Sequence, residues 1–376
     1  MTVANIVTEF AEKGLVIEQV ETIGVSGNTN VGRPSFRVYT VPYAVIVLCI
    51  YISEMEITCS LVNLNCEQIV SRTIIPTQKE DNRLLLKKID NVIHPLLAEA
   101  SNYASRIRGI GISSVGLVDS DSRRIIGADN YPNIHELPIA EYFEDKYGIP
   151  ALLSNDMKAS AIAERHYGKM IDTENFIYMG VNSSIGLGIY INDEIYRGFN
   201  GFSGELGYTT IDFRGKSPTF GHGRRLESYI RIDQYVRRVN RDVTKKISGL
   251  PAFASSPVTW KDIVREALAG NAYCDRILRE IGDFLVIATE HVLNIFDPET
   301  VILGGQIALA GDMIVDYIRN QLQGQSLASY FYTSTNHPEK AQVPIELSSF
   351  IDKSGVIGAG AVFFDSVFKG NIHFLI

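Results

Sequence analysis

The chain has 376 residues, 45% hydrophobic and 21% charged, with 43 acidic against 35 basic side chains and a net charge of -8. That length builds two substantial domains and a small third, and the acidic balance excludes nonspecific nucleic-acid binding by the whole surface while leaving room for a small DNA-binding module. No apolar run reaches the roughly 18 to 20 residues that span a bilayer. Met1 leads into an amphipathic segment without a basic start and apolar core, so no membrane partner and a cytoplasmic location are expected.

In chain order, Thr2 to Lys13 places Val3, Ile6, Val7 and Phe10 on one helical face, and Gly14 stops the helix. Two β-like runs follow, Leu15 to Thr22 and Ser35 to Thr40, joined by a glycine-rich loop through Gly32-Arg-Pro34. A helix followed by a two-stranded ribbon is the second half of a winged helix-turn-helix; a decorative N-terminal extension is the alternative.

From Val41 the pattern changes. Val45 to Ile52, Glu56 to Asn63 and Gln68 to Ile75 read as three consecutive strands. A helix follows with Leu85, Ile89, Val92, Leu96 and Leu97 on its apolar side and Pro95 as a kink. Then come a buried strand at Arg108 to Ser113, a helix at Ile139 to Tyr147 and a strand at Ala151 to Ser154. The second half repeats the scheme, with strands at Asn175 to Val181 and Gly186 to Ile191 and long helices after them. The most regular of these, Cys274 to Phe296, aligns Ile277, Ile281, Phe284, Leu285, Ala288, Val292 and Ile295. A meander feeding alternating helix and strand, twice, predicts an α/β, two-lobed actin-like ATPase (ribonuclease H-like) sugar-kinase fold, with a ligand cleft between the lobes. Cys49, Cys59, Cys66 and Cys274 lack CxxC spacing, and three of them fall in strand-like segments, so they read as free buried thiols.

Several separated motifs carry more. They are Gly111-Ile-Ser-Ser-Val-Gly116, Ser154-Asn-Asp156, Gly186-Leu-Gly188, Ser203-Gly-Glu-Leu-Gly207 and Asn294 to Gly305. In order and spacing they resemble the ROK family of bacterial repressors and sugar kinases, from about residue 2 to 365. The resemblance implies that Asp156 stands where the kinases hold the base that takes a proton from the sugar hydroxyl. It also implies that Asn155, Asp156, Glu205, Tyr208 and Glu227 form a sugar site. By themselves, Ser154-Asn-Asp156 also read as a helix cap ahead of Met157 to Tyr167.

The departures point away from catalysis. Where the resembling kinases carry an Asp-x-Gly-Gly-Thr phosphate turn, this chain reads Tyr51-Ile-Ser-Glu-Met55, and the second phosphate loop reads Asn182-Ser-Ser-Ile-Gly186. Tyrosine replaces an aspartate, Glu54 sets a negative charge beside any polyphosphate, and lost glycines hinder close backbone approach. Only the Gly304-Gly305 turn is intact. Tyr208 stands at the family's zinc-binding histidine, and Pro218, Phe220 and Arg225 stand at its cysteines, so neither a metal nor a cofactor is expected. His222, Arg224 and Arg225 read as a solvated loop.

The resemblance also makes the N-terminal piece a recognition helix and wing, with Thr2 and Asn5 facing bases and Arg33 near a phosphate or minor groove. The two helices that precede this element in repressors are not in the chain. Residues 1–40 hold three bases against four acids, which is no electrostatic footprint for DNA, and operator binding stays open. The expected division is 1–40, a partial winged helix-turn-helix; 41–153, an N-terminal lobe completed by a C-terminal helix at 355–376; and 154–354, a C-terminal lobe with the sugar pocket and a dimerisation surface. The expected function is a sugar-responsive repressor without kinase activity, a homodimer or homotetramer with a sugar effector and operator DNA as partners. An ATP-dependent sugar kinase and a plain ligand-binding protein are the rivals.

Overall fold

The computed structural model describes residues 3–21, 35–77, 79–129, 131–214, 216–217, 221–323 and 343–371. Thr2, Arg33, Pro218 and Phe220 lie outside them. The chain opens with α1 (Val3–Glu12) and an antiparallel ribbon of β1 (Val16–Glu21) and β2 (Ser35–Thr40). The amphipathic stripe of α1 is not covered: Val3 is 78% and Phe10 38% exposed.

The first lobe runs β3 (Ile46–Ile52), β4 (Ile57–Asn63), β5 (Gln68–Ile74), α2 (Asn82–Glu99), β6 (Ile107–Ser114), β7 (Leu117–Asp119), β8 (Arg124–Ala128), β9 (Tyr131–Leu137), α3 (Ile139–Tyr147) and β10 (Ala151–Asn155). The second runs α4 (Asp156–Tyr167), β11 (Phe176–Val181), β12 (Ile185–Ile191), β13 (Glu194–Ile195), β14 (Lys216–Ser217), β15 (Gly221–His222), α5 (Glu227–Ile230), α6 (Ile232–Thr244), α7 (Trp260–Leu268), α8 (Ala272–Phe296), β16 (Thr300–Gly304), α9 (Asp312–Leu322) and β17 (Ile345–Leu347). A last helix, α10 (Ser354–Phe368), returns to the first sheet.

The two main sheets share one plan. The first has the order β10-β6-β3-β4-β5 and the second β13-β12-β11-β16-β17. In each, an antiparallel meander flanks two strands added in parallel. This duplicated topology is the actin-like sugar-kinase fold. The composition of β3 shows why it is central: all seven residues are buried. Ile46, Leu48, Ile50 and Ile52 join the core that includes α2 and α3 residues, while Val47, Cys49 and Tyr51 join the one that includes α4 and α10 residues. A strand covered on both faces reads as a continuous apolar run.

Helix α4 lies between the sheets. It packs on β11 and β12 of the second lobe and on α10 of the first. The α4–α10 contact is close enough that a Cβ at Gly358 would come within 2.7 Å of the Ala159 carbonyl carbon. The carboxyl group of Glu164, fully buried on α4, accepts hydrogen bonds from Ser348 Oγ (2.6 Å), Ser349 N (2.7 Å), Ser349 Oγ (2.8 Å) and Lys169 N (3.3 Å). It ties α4 to the chain leaving β17.

Some details depart from the sequence reading. The small β7-β8-β9 sheet has strands too short for a clear alternation. Ile295 is 69% exposed rather than packed with the other apolar residues of α8. Cys66 sits in the β4–β5 turn at φ +59°, not in a strand, and all four cysteines are free and buried. No described helix is long and apolar enough to cross a membrane.

Replacing Glu164 by Ala removes the partner of four donors, of which Ser348 Oγ is buried and the others partly so, so unfolding in urea should show a loss on the order of 2 kcal/mol. A loss below about 1 kcal/mol would show that water replaces the carboxyl group freely.

Candidate functional site

Strand β10 ends and α4 begins at Asn155-Asp156, beside the carboxyl end of β6, the usual place for a ligand crevice in such sheets. Asn155 Oδ1 accepts from the backbone N–H groups of Met157 (3.1 Å) and Lys158 (3.4 Å), and its Nδ2 donates to the Gly116 carbonyl (3.2 Å). Asn155 is thus the helix cap and a strut to the first lobe, which leaves a single amide hydrogen for a ligand. The sequence reading gave it to sugar hydroxyls; the structure spends most of it on the backbone.

Asp156 is only 4% exposed. Burial pushes its carboxyl up to about 8, helped by the negative charges of Glu54 and Glu205. The N–H groups at the start of α4 pull the other way without prevailing. Among the described residues no side chain donates a hydrogen bond to it.

Asp156 faces a cleft of about 400 Å³ that includes Glu54, Asp129, Asn155, Glu205, Tyr208 and Glu227 in its lining. Glu205 is aimed by Gly204, at φ +92°, where a Cβ would lie 2.1 Å from the Leu187 carbonyl oxygen. Only glycine fits there. Glu227 opens α5 at half burial. Burial raises both carboxyls; the buried Lys158 opposes this at Glu205, as Arg225 does at Glu227. Asn155, Asp156, Glu205, Tyr208 and Glu227 are therefore brought together. Asn5 lies far along the chain on exposed α1, and Thr2 and Arg33 are outside the described residues.

Two partners were not legible in the sequence. Tyr208 Oη donates to Asp129 Oδ2 at 2.7 Å, joining the second lobe to the β8–β9 turn of the first across the cleft mouth. The Arg225 guanidinium lies 4.3 Å from the Tyr208 ring centroid and 3.6 Å from Glu227. Arg225 is exposed, in keeping with a solvated loop, and its guanidinium also touches two residues that line the cleft. Tyr208 and Arg225 stand at two positions that the resemblance gives to zinc ligands, and a cation–π contact now joins the segments a metal would join. Nothing around Gly127-Ala-Asp129 signals a partner 79 residues downstream. Among the described residues no three His, Cys, Asp or Glu side chains converge as a metal would require.

A second cavity of about 590 Å³ adjoins the first and shares Glu54, Val115, Asp156, Met157 and Ser184 with it. Its walls are the turns that the resemblance assigns to nucleotide phosphates. Ser53 Oγ accepts from the N–H groups of Met55 (3.3 Å) and Glu56 (3.0 Å), so two of that turn's donors are already used. Asn182 Oδ1 likewise accepts the Gln306 N–H at 2.9 Å. The Tyr51 ring fills the space where a side chain at Gly355 would go. Glu54, Glu56, Asp156, Asp233 and Asp352 face the cavity against Arg237 and Lys261. Asp233 is paired with Arg231 and Arg237, and Asp352 with Lys261.

The family model of the ROK family matches residues 47–366. The chain belongs to the ROK family. Among relatives of this ROK protein is the xylose repressor of Caldicellulosiruptor bescii, 25% identical, covering 96% of this chain and 87% of the relative. A crystal structure of a ROK family transcriptional regulator, homologous to the Escherichia coli Mlc protein, superposes with a TM-score of 0.74 at 23% identity, over 98% of this chain and 88% of that one. A ROK glucokinase from Streptomyces griseus, in complex with glucose and AMPPNP, superposes with a TM-score of 0.69 at 19% identity, over 84% of this chain and 98% of the kinase. These two likenesses establish the fold.

Titration of Asp156 has a definite sign. Its folded pKa is about 8 against an ordinary 3.8, so its contribution to stability is complete below 3.8 and is lost as the pH rises through 8. Asn does not titrate. The melting temperature of Asp156→Asn minus that of the unaltered protein should therefore grow between pH 5 and pH 9, by about 3 °C or more. A gap independent of pH would show that Asp156 ionises normally.

Proposed function

We propose that this ROK protein is a sugar-responsive transcriptional regulator that binds a monosaccharide or amino sugar between its lobes and does not transfer phosphate. One observation carries the reading. The polar cleft around Asp156, Glu205 and Glu227 is open, while the adjoining turns, which would have to receive a nucleotide's phosphates, have spent N–H donors on Ser53 and Asn182. Phosphoryl transfer relies on such donors and on cations to hold the γ-phosphate. The repressor names among the relatives support the same reading.

The geometry supplies a route from sugar to DNA. A ligand that favours the closed cleft shifts the lobes in proportion to its differential affinity for the two states. Asp129 and Tyr208 make a hydrogen bond only when their lobes are near, so they favour closure. Exposed α1, with Asn5, is the element offered to operator DNA, in a homodimer or homotetramer.

The rival reading, a sugar kinase, draws on Asp156, which keeps the position of a catalytic base. A gel shift with DNA upstream of the protein's own gene, repeated across hexoses and pentoses, separates the readings. Retention that one sugar relieves supports the regulator. Sugar binding with no DNA retention would leave a ligand-binding protein, and folded protein silent to the whole panel would remove the sugar site. Tyr208→Phe deletes one hydrogen bond between lobes, so calorimetry should show sugar affinity reduced ~3- to 10-fold. Unchanged affinity would mean that the cleft closes without this contact.

A further inference from the structure

A lysine lies buried behind the sugar cleft. Lys158 is 3% exposed and sits in the first turn of α4, two residues after Asp156. Both facts disfavour a cation there, since burial strips its water and the N–H groups at a helix start repel positive charge. Its side chain lines a separate cavity of about 460 Å³ with Asp119, Asp121 and Arg197, and its Nζ donates to the Ser203 carbonyl at 2.9 Å.

The segment that presents this carbonyl is well tied. Ser203 N–H donates to the Arg197 carbonyl (3.1 Å), Ser203 Oγ to the Tyr196 carbonyl (2.6 Å), and Leu187 N–H to the Gly204 carbonyl (2.8 Å). Glu205 follows directly. Lys158 thus joins the helix that carries Asp156 to the segment that carries Glu205, and it does so with a charge. One neutral carbonyl does not offset a buried ammonium. Burial lowers the Lys158 ammonium from its ordinary value, and Glu205, ahead of Asp156, opposes this. Burial likewise raises the Glu205 carboxyl, and Lys158 is the foremost charge opposing it. The other charges around the pair work against it: Glu227 and Asp129 on Glu205, and Arg197 on Lys158. Asp119 is bonded within its own turn, to Ser122 Oγ and the N–H groups of Asp121 and Ser122.

We propose that Lys158 is a positioning residue for the sugar site: from behind the cleft it pins the Ser203–Glu205 segment to α4 and gives Glu205 its counter-charge, so that Glu205 receives sugar hydroxyls as a carboxylate. This rests on the reading of the cleft as a sugar site and adds a residue that touches no sugar. Beside Asp156, whose carboxyl titrates at about 8, an ionised Glu205 gives the cleft one proton donor and one acceptor at neutral pH. The acceptor is lost when Glu205 takes a proton, so sugar affinity is present above the folded pKa of Glu205 and falls away as the pH drops through it. Without the lysine that pKa rises, and the loss begins at a higher pH.

The test is calorimetry of the full chain between pH 5 and pH 8 with glucose, mannose, xylose and N-acetylglucosamine. It compares the unaltered protein with Lys158→Gln and Lys158→Met, each checked for folding by melting. Gln keeps an N–H for the Ser203 carbonyl and drops the charge, whereas Met drops both. In both variants the acid limb of sugar affinity should move up by about one pH unit. A limb that stays in place in both, or moves in Met alone, overturns the inference and leaves the sugar site standing. Should neither variant fold, carboxyl-carbon NMR of Glu205 in the unaltered protein decides, its signal assigned by its loss in Glu205→Gln. An ionised carboxyl at pH 7 supports the inference, and a protonated one overturns it. No heat from any of the sugars would overturn the inference and the sugar-site reading together.

Discussion

A carboxyl group buried at the start of α4, between two cavities and, among the described residues, without a side-chain hydrogen bond or ion pair, is the constraint on which the rest turns. Asp156 cannot be moved from water into a protein interior cheaply. The fold keeps it there through the β10–α4 junction, the Asn155 cap and the anchoring of α4 to both lobes by Gly358 and Glu164. A helix N-terminus softens the cost, but Glu54 and Glu205 add to it.

The two cavities meeting at Asp156 have been treated differently. On the Glu205 side, Gly204 bends the chain to aim Glu205, and Arg225 stacks on Tyr208 beside Glu227. On the other side, backbone donors that a phosphate would need are bonded to Ser53 and Asn182, and the ring of Tyr51 lies against Gly355. Turn residues can differ at such places without disturbing the sheets, because β3 and β11 are fixed by apolar residues on their faces and not by the loops at their ends.

Most of the architecture was readable because periodicity reports burial. The apolar run of β3, the stripe of α8 and the meander before α2 each state their own environment. Asn155 was readable in both of its senses, cap and cleft residue, and geometry showed how far the cap consumes it. The β7–β9 sheet was not readable, since strands of three to seven residues with mixed burial leave little pattern. The Asp129–Tyr208 bond and the place of Arg225 were hidden for a different reason. The first is set by how the lobes face each other, the second by how the loop between Tyr208 and Glu227 folds back within one lobe, and no local spacing encodes either. Thr2 and Arg33 remain matters of resemblance.

The most direct measurement is ADP release from Mg-ATP in a coupled assay, run with a panel of monosaccharides and amino sugars on protein shown to bind at least one of them. The account predicts sugar binding with no sugar-dependent turnover above background. Turnover at a rate on the order of 1 s⁻¹ or faster would contradict it, because the turns around Ser53 and Asn182 would then still be holding a γ-phosphate.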